Sequence, residues 1–224
     1  GRRKNSSRSM GGSASCQGTG LGTPPTGYPQ NAPGCDISEA IYDDVGLELE
    51  LRAPTNATGY KFDFKFYSFE YAEWVCTTFN DQFMALVNPA PPGALDGNIS
   101  FGANGAPVSV NIAFFDVCEG CQNWAQNCFS ASCPPPPATC CPAGTGELAG
   151  TGFDSWTGAF DDGNAGGTTW LQTQAPVEGG STFSIRYGIW DTGDGNLDAT
   201  SVIDNFEWIA NGGTVTVGTT PVPE

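Results

Sequence analysis

The sequence predicts an all-β protein: an antiparallel β-sandwich of jelly-roll type with a disulfide-stapled long loop and extended N- and C-terminal arms. Three observations carry that expectation. Apolar and polar residues alternate at period two, as in Leu47-Glu48-Leu49-Glu50-Leu51 and Tyr60-Lys61-Phe62-Asp63-Phe64-Lys65-Phe66, the spacing that lays one face of a strand on a core. Gly, Pro, Asn and Asp fill the intervals, as turns between antiparallel strands require. No apolar period of about 3.6 residues persists for three turns. The length of 224 residues, with 39% hydrophobic and 12% aromatic side chains, supplies a real core.

In chain order, residues 1–34 form an extended arm. Gly, Ser, Thr, Pro and Gln dominate it, and Met10 and Leu21 are its only large aliphatics. Such a segment buries too little surface to offset its ordering entropy. It becomes ordered only against the body of its own chain or against a neighbouring subunit. Residues 35–211 are the sandwich. Helical turns are expected over Asp36–Asp44 and Phe69–Val75. Beyond the two alternating runs, strands are expected over Gln82–Val87, Val108–Phe115, Thr182–Ile189, Ser201–Ile209 and Thr214–Val217. Residues 118–141 interrupt the strands with six Cys and the polyproline run Pro134 to Pro137, and residues 212–224 form an extended tail.

The chain has no His, which removes Ser-His, Cys-His and His-ligated metal chemistry. A net charge of −16 argues against nucleic acid as a partner, because phosphates would be repelled. The charge divides into an arm of +4 (Arg2, Arg3, Lys4 and Arg8, with no acid) and a body of −20 (24 acids against four bases). From Phe66 to Glu224 the only base is Arg186, against 17 acids. A body of this kind calls for salt, bound cations or a basic partner surface. No run of about 18 apolar residues is present, so no membrane span is expected. Arg2 to Arg8 is not followed by the apolar stretch of a signal peptide, so a mature or processed form is expected.

Nine Cys place the protein outside the cytosol. They are Cys16, Cys35, Cys76, Cys118, Cys121, Cys128, Cys133, Cys140 and Cys141. An odd number leaves one thiol over, and eight paired Cys allow about 105 connectivities, so the pairing stays open. Cys118-x-x-Cys121 with Cys128 and Cys133 also admits a zinc reading, which the irregular spacing disfavours.

Two acidic groups carry the candidate chemistry. In Trp190-Asp191-Thr192-Gly193-Asp194-Gly195-Asn196-Leu197-Asp198 a Gly-rich turn presents Asp191, Asp194 and Asp198, and Asp204 follows shortly. Carboxylates so close, with no local base, repel one another unless a hard cation sits between them. Ca²⁺, which accepts six to eight oxygens in loose geometry, suits such turns. Glu70, Glu73, Asn80 and Asp81, set among aromatics, are candidate ligands for the same or a second cation. Glu48 and Glu50 share a strand face but read as the solvent side of an ordinary strand, as do Lys61 and Lys65, so neither a carboxylate-pair glycosidase nor any other enzyme is expected. Trp170 and Trp190 are the candidates for stacking on a sugar.

A family resemblance adds to this reading. Phe62-Asp63-Phe64-Lys65-Phe66-Tyr67-Ser68-Phe69-Glu70-Tyr71-Ala72-Glu73-Trp74-Val75, followed by Phe79-Asn80-Asp81-Gln82-Phe83, resembles the F-x-F-x-F-x-S-x-E-Y-x-E-x-V…F-N-D-x-F signature of the choice-of-anchor L domain. Gly167-Thr168-Thr169-Trp170-Leu171 and the stretch from Ile189 through Asp198 to Phe206 resemble that family's second half. The likeness runs from about residue 45 to 210, and the Cys-rich insert is most similar to myxobacterial members. Phe69 departs from the pattern, standing where a Glu is usual, and residues 212–224 carry neither an apolar helix nor a basic cluster. The resemblance implies an exported bacterial surface β domain without established enzyme activity.

Residues and resemblance together lead to one expectation: a non-enzymatic extracellular structural protein, a self-assembling subunit of a bacterial surface fibre, sheath or matrix, stabilised by disulfides and Ca²⁺. Its partners are copies of itself, met through the N-terminal arm or the C-terminal tail. The alternative is a cell-surface adhesin or glycan-binding module.

Overall fold

The alternating run Tyr60, Phe62, Phe64, Phe66 forms the centre of the molecule, with the three Phe wholly buried. In the computed structural model, which describes residues 23–38, 40–111, 114–120, 124–129, 133–154, 165–210 and 213–223, ten strands make two antiparallel sheets. They are β1 (Ile41–Arg52), β2 (Ala57–Ser68), β3 (Gln82–Asn88), β4 (Val108–Ser109), β5 (Val117–Cys118), β6 (Gly166–Gly167), β7 (Leu171–Pro176), β8 (Thr182–Thr192), β9 (Ala199–Ala210) and β10 (Gly218–Pro221). The first sheet runs β1-β8-β3-β4. The second runs β10-β7-β2-β6-β5, and β9 also pairs with β2. The expected all-β sandwich is the observed one.

The sheets meet through aromatic rings. Phe64 of β2 stacks on Phe83 of β3 at 4.5 Å, and Phe62 meets Tyr187 of β8 edge-on at 4.9 Å. Tyr60 stacks on Phe183 at 5.0 Å. The outer faces are covered as well, each by a loop segment. On the second sheet Tyr67, Phe69, Val117, Leu148, Phe153, Ala165 and Leu197 form a separate apolar cluster, built partly on the 3-10 turn Gly146–Leu148. On the first sheet Tyr28 joins Ile41, Met84 and Trp190.

That last cluster shows what orders part of the arm. The Tyr28 hydroxyl donates to Leu95 O at 3.0 Å, Gln30 Nε2 donates to Asp96 Oδ2 at 2.9 Å, and Gln82 Nε2 donates to Gln30 O. Cys35 is bonded to Cys76. The arm therefore lies on its own chain from Gly27 onward, and its basic first eight residues lie outside the described ones.

Several local expectations change. Asp36–Asp44 is no helical turn; β1 starts at Ile41, because Ile41 is buried against the outer face of the first sheet. Phe69–Val75 is a chain of turns. Phe69 packs on Phe153 in one cluster and Tyr71 on Phe115 in another, which a single helical stripe cannot do. Among the described residues of Val108–Phe115 only Val108–Ser109 pairs, with Gln82 and Phe83. Asn111 then turns out of the ladder, accepting from the Cys76 amide at 2.6 Å and donating to Asn31 Oδ1 at 2.6 Å. The tail pairs over Gly218–Pro221 on β7, not over Thr214–Val217; Val217 instead packs against the main core. Lys65 is buried, ion-paired to Glu147, with Nζ 5.0 Å from the Trp170 ring centroid.

Phe64→Ala should cost about 3–5 kcal/mol, read as a lower urea midpoint with an unchanged slope. A midpoint within error of wild type would show that the Phe64–Phe83 contact does not join the sheets as described.

Candidate metal centre

Three core columns end in carboxylates at one end of the sandwich. On β2 the inward parity of Phe62, Phe64 and Phe66 continues to Ser68, and two residues later to Glu70. On β3, Phe83 and Ala85 share parity with Asp81 just before the strand. On β8, Ile185 and Tyr187 share it with Asp191. Glu70, Asp81 and Asp191 are all buried, and each places a carboxylate oxygen within 4.8 Å of the others.

Local hydrogen bonds hold this arrangement. The Ser68 hydroxyl donates to Asp81 Oδ2 at 2.5 Å, and the Asp81 amide donates to Glu70 Oε2 at 2.7 Å. The Glu70 amide donates to Ser68 Oγ at 2.9 Å. Thr192 Oγ1 donates to Thr78 O at 2.8 Å and ties the end of β8 to the β2–β3 connection. The turn from β8 to β9 folds back over the cluster. Gly193 has φ +92°, and a Cβ there would stand 2.7 Å from the Phe79 ring, so only glycine fits. The Phe69 amide donates to Asp198 O at 3.4 Å.

Asp43 joins from β1, where a register shift between Tyr42 and Val45 follows the pair Tyr42↔Asp191. A cavity of about 100 Å³ is lined by Asp43, Asp81, Asp191 and Asp198. A smaller one of about 60 Å³ beside it is lined by Glu70 and Asp194, and Asn196 and Leu197 border both. Six acids thus converge. The ion pairs found among the described residues engage Lys61, Lys65 and Arg186 with Glu207, Glu147 and Asp44, all outside the cluster.

Electrostatics sets the chemistry. Near 4.8 Å, two ionised carboxylates repel by about 3–4 kcal/mol at an effective dielectric of roughly 20. Burial is the largest cause holding Glu70, Asp81 and Asp191 well above the ordinary carboxylate range. Mutual repulsion adds to it: Asp81 and Asp194 act on Glu70, and Glu70, Asp81, Asp194 and Asp43 act on Asp191. For Asp81 the Ser68 hydroxyl works the other way, while Asp198, Asp194 and Asp43 raise it. The Oδ1 of Asp191 is buried with no hydrogen-bond partner. So is the Oδ1 of Asn80, whose Nδ2 donates to Asn31 Oδ1 at 3.2 Å.

Of the eight residues expected to bind metal, the structure brings Glu70, Asp81, Asp191, Asp194 and Asp198 together, sets Asn80 next to Asp81, and buries Glu73 outside the cluster and the two cavities. Asp204 stands apart. It is exposed on β9 opposite Asp63, and its Oδ1 accepts from the Asn205 amide at 2.7 Å. A β-bulge sends it outward: the register against β2 shifts between Lys61 and Asp63. Asp43 went unrecognised because its run read as a helical turn; the β1–β8 register is the signal that finds it.

The family model for the choice-of-anchor L domain matches residues 35–205. The chain belongs to that family. All six carboxylates lie within the matched span of the choice-of-anchor L domain, and the whole arm, the end of β9 and β10 lie outside it. Neither the curated proteins nor the solved structures searched contain a match. The family is not one of enzymes, and with the disulfides it points to an extracellular or surface protein. No helix among the described residues is long and apolar enough to cross a membrane.

Three disulfides are described within this choice-of-anchor L chain: Cys35–Cys76, Cys118–Cys141 and Cys128–Cys133. They consume the thiolates that a zinc reading of Cys118, Cys128 and Cys133 would need. Cys140 is disulfide-bonded too, and Cys16 and Cys121 lie outside the described residues. Trp190 is buried, donates Nε1–H to Gln82 Oε1 at 3.2 Å and meets Tyr28 edge-on. It therefore has no face for a sugar. Trp170 is half-buried beneath Lys65.

Because burial raises these three carboxyls, the folded chain holds protons that the unfolded chain has released above about pH 4. With divalent ions chelated, stability should therefore fall as pH rises from the ordinary carboxylate range towards neutrality. Urea midpoints taken in chelator between about pH 5 and pH 8 measure this; a midpoint rising with pH would contradict the buried, mutually repelling cluster.

Proposed function

We propose that the chain is a non-enzymatic structural subunit that assembles with copies of itself into a bacterial surface fibre, sheath or matrix, its fold stabilised by disulfides and calcium. The observation that carries the assembly reading is β1. It ends the first sheet, and among the described residues nothing pairs with its outer side. Val45, Leu47 and Leu49 keep the parity of the core yet are 62%, 55% and 36% exposed. A long apolar edge is a template for another strand, and native domains normally blunt it. The +4 segment at residues 1–8 supplies a complementary charge for the −20 body of another copy. The tail is a weaker candidate for reaching a neighbour, since Gly218–Pro221 is engaged by its own β7.

Negative-stain microscopy and light scattering of the purified chain should show oligomers or filaments. Leu47→Lys with Leu49→Lys, both at exposed positions, should abolish them while leaving the β signal intact. Monomers alone at high micromolar concentration and low salt would end the assembly reading.

A glycan-binding role has one observation in its favour. A cavity of about 410 Å³ beside the Cys35–Cys76 and Cys118–Cys141 bridges presents Tyr71, Phe115 and Trp124 with Asn111 and Asp116. Aromatic faces beside polar hydrogen-bonding groups suit a sugar. A glycan array should then give signals that Trp124→Ala removes. Signals unchanged by that substitution, or none at all, would dismiss this second reading.

A further inference from the structure

We infer that Glu70, Asp81 and Asp191 are the inner ligands of one calcium site, completed by the carboxylates of the β8–β9 turn and by Asp43. This deepens the calcium part of the reading above and rests on it, but it does not depend on self-assembly.

Two independent observations meet at this point. The first is the triad itself: three buried carboxylates from β8 and the two ends of the β2–β3 connection, with oxygens within 4.8 Å of one another. Ligands around one ion at about 2.3–2.6 Å lie no further apart than roughly twice that distance. The second is Asp191 Oδ1, which is buried in a residue only 6% exposed, lines the cavity of about 100 Å³ and accepts no hydrogen bond. A buried polar atom left in this state signals a missing partner. Space is adequate, because a water occupies about 30 Å³ of liquid, so the cavity holds an ion with one or two waters.

The donor set selects the metal. Every ligand proposed for this site is a carboxylate oxygen, with no imidazole or thiolate nearby, which disfavours zinc and copper. Several carboxylates on turns, in irregular geometry and largely shielded from water, suit Ca²⁺; Mg²⁺ demands a near-ideal octahedron and keeps its waters. The surrounding hydrogen bonds already orient two ligands. Ser68 holds Asp81 through Oδ2 and the Asp81 amide holds Glu70 through Oε2, leaving each a second oxygen to coordinate.

Such an ion would link three places distant in sequence: the start of β1, the β2–β3 connection and the β8–β9 turn. The last of these joins the two sheets, so the ion would act as a clasp across the end of the sandwich.

Titration calorimetry of the chelator-stripped chain with CaCl₂ should show one ion per chain, and the melting midpoint should rise steadily with Ca²⁺ concentration. Equal MgCl₂ should give a much smaller shift. Asp191→Asn keeps the shape and removes one charge. It should weaken Ca²⁺ by on the order of 100-fold while raising the midpoint in chelator, since one repelling charge is gone. Should that variant fail to fold, Tb³⁺ luminescence excited through tryptophan in the wild-type chain, quenched by competing Ca²⁺, reads the same site. Trp74 borders the cavity that holds Glu70 and Asp194. No heat, no midpoint shift and no Tb³⁺ signal at millimolar ion would overturn the site, as would equal affinity for Mg²⁺ or undiminished binding by Asp191→Asn. A chain that binds Ca²⁺ in this way yet stays monomeric removes the assembly reading alone.

Discussion

Carboxylate repulsion at the end of the inter-sheet core is the constraint on which the rest of this structure depends. A sandwich is free to end its core columns in apolar residues, in polar groups that bond one another, or in water. Here three columns end in Glu70, Asp81 and Asp191, buried and within 4.8 Å. Burial and proximity both oppose their ionisation, and the local hydrogen bonds from Ser68 and the Asp81 amide only partly offset that. The folded state therefore has two ways to keep this end closed: retain protons or take up a cation. Packing of the β8–β9 turn over the cluster, Gly193 against Phe79 and the Asp198 carbonyl against the Phe69 amide, frames the site without drawing on its carboxylates.

The connection between β2 and β3 carries more of the structure than its lack of regular elements suggests. It supplies Glu70 and Asp81 to the cluster, Tyr71 to the aromatic group with Phe115 and Trp124, and Cys76 to the bridge with Cys35. Asn31 and Asn111 clasp it from outside, the first donating to Thr77 O at 3.2 Å and the second accepting from the Cys76 amide. A turn-rich segment pays an ordering entropy that a strand ladder would otherwise offset. In this loop a covalent bridge, buried rings and side-chain caps on backbone groups take the ladder's place.

Much of this was legible in the sequence, and the failures share a cause. Period two identified β2 and β8 because their faces truly alternate against a core. The clustering of Asp191, Asp194 and Asp198 within one Gly-rich turn, and of Glu70 near Asp81, pointed to the carboxylates that the fold brings together. Asp43 and Asp204 went the wrong way because strand register decides which parity faces inward, and bulges in β1 and β9 reset it. No local pattern records a bulge. The helical expectation over Phe69–Val75 failed because its rings are divided between two clusters on opposite sides of the second sheet, a tertiary fact. Lys65 sits at a solvent parity, yet the loop around Glu147 covers that face.

Charge and edges bear on each other. An acidic body discourages association, since surfaces of like sign repel. Its exposed apolar parity on β1 encourages it, because the unpaired edge of a sheet seeks another strand. Both are present in one chain, and the same strand carries them: Asp44, Glu48 and Glu50 are exposed beside Val45, Leu47 and Leu49. A second β1 laid on the first would bring like charges opposite one another, which is unfavourable in a cross-strand pair. A basic segment would not. In the proposed assembly this asymmetry selects a head-to-tail contact over a two-fold one, because the surface that attracts, residues 1–8, differs from the surface that receives. Contacts of that kind make rings where the rotation closes and extend into polymers where it does not. In that proposal the acidity of the body also sets which part of a neighbour it accepts.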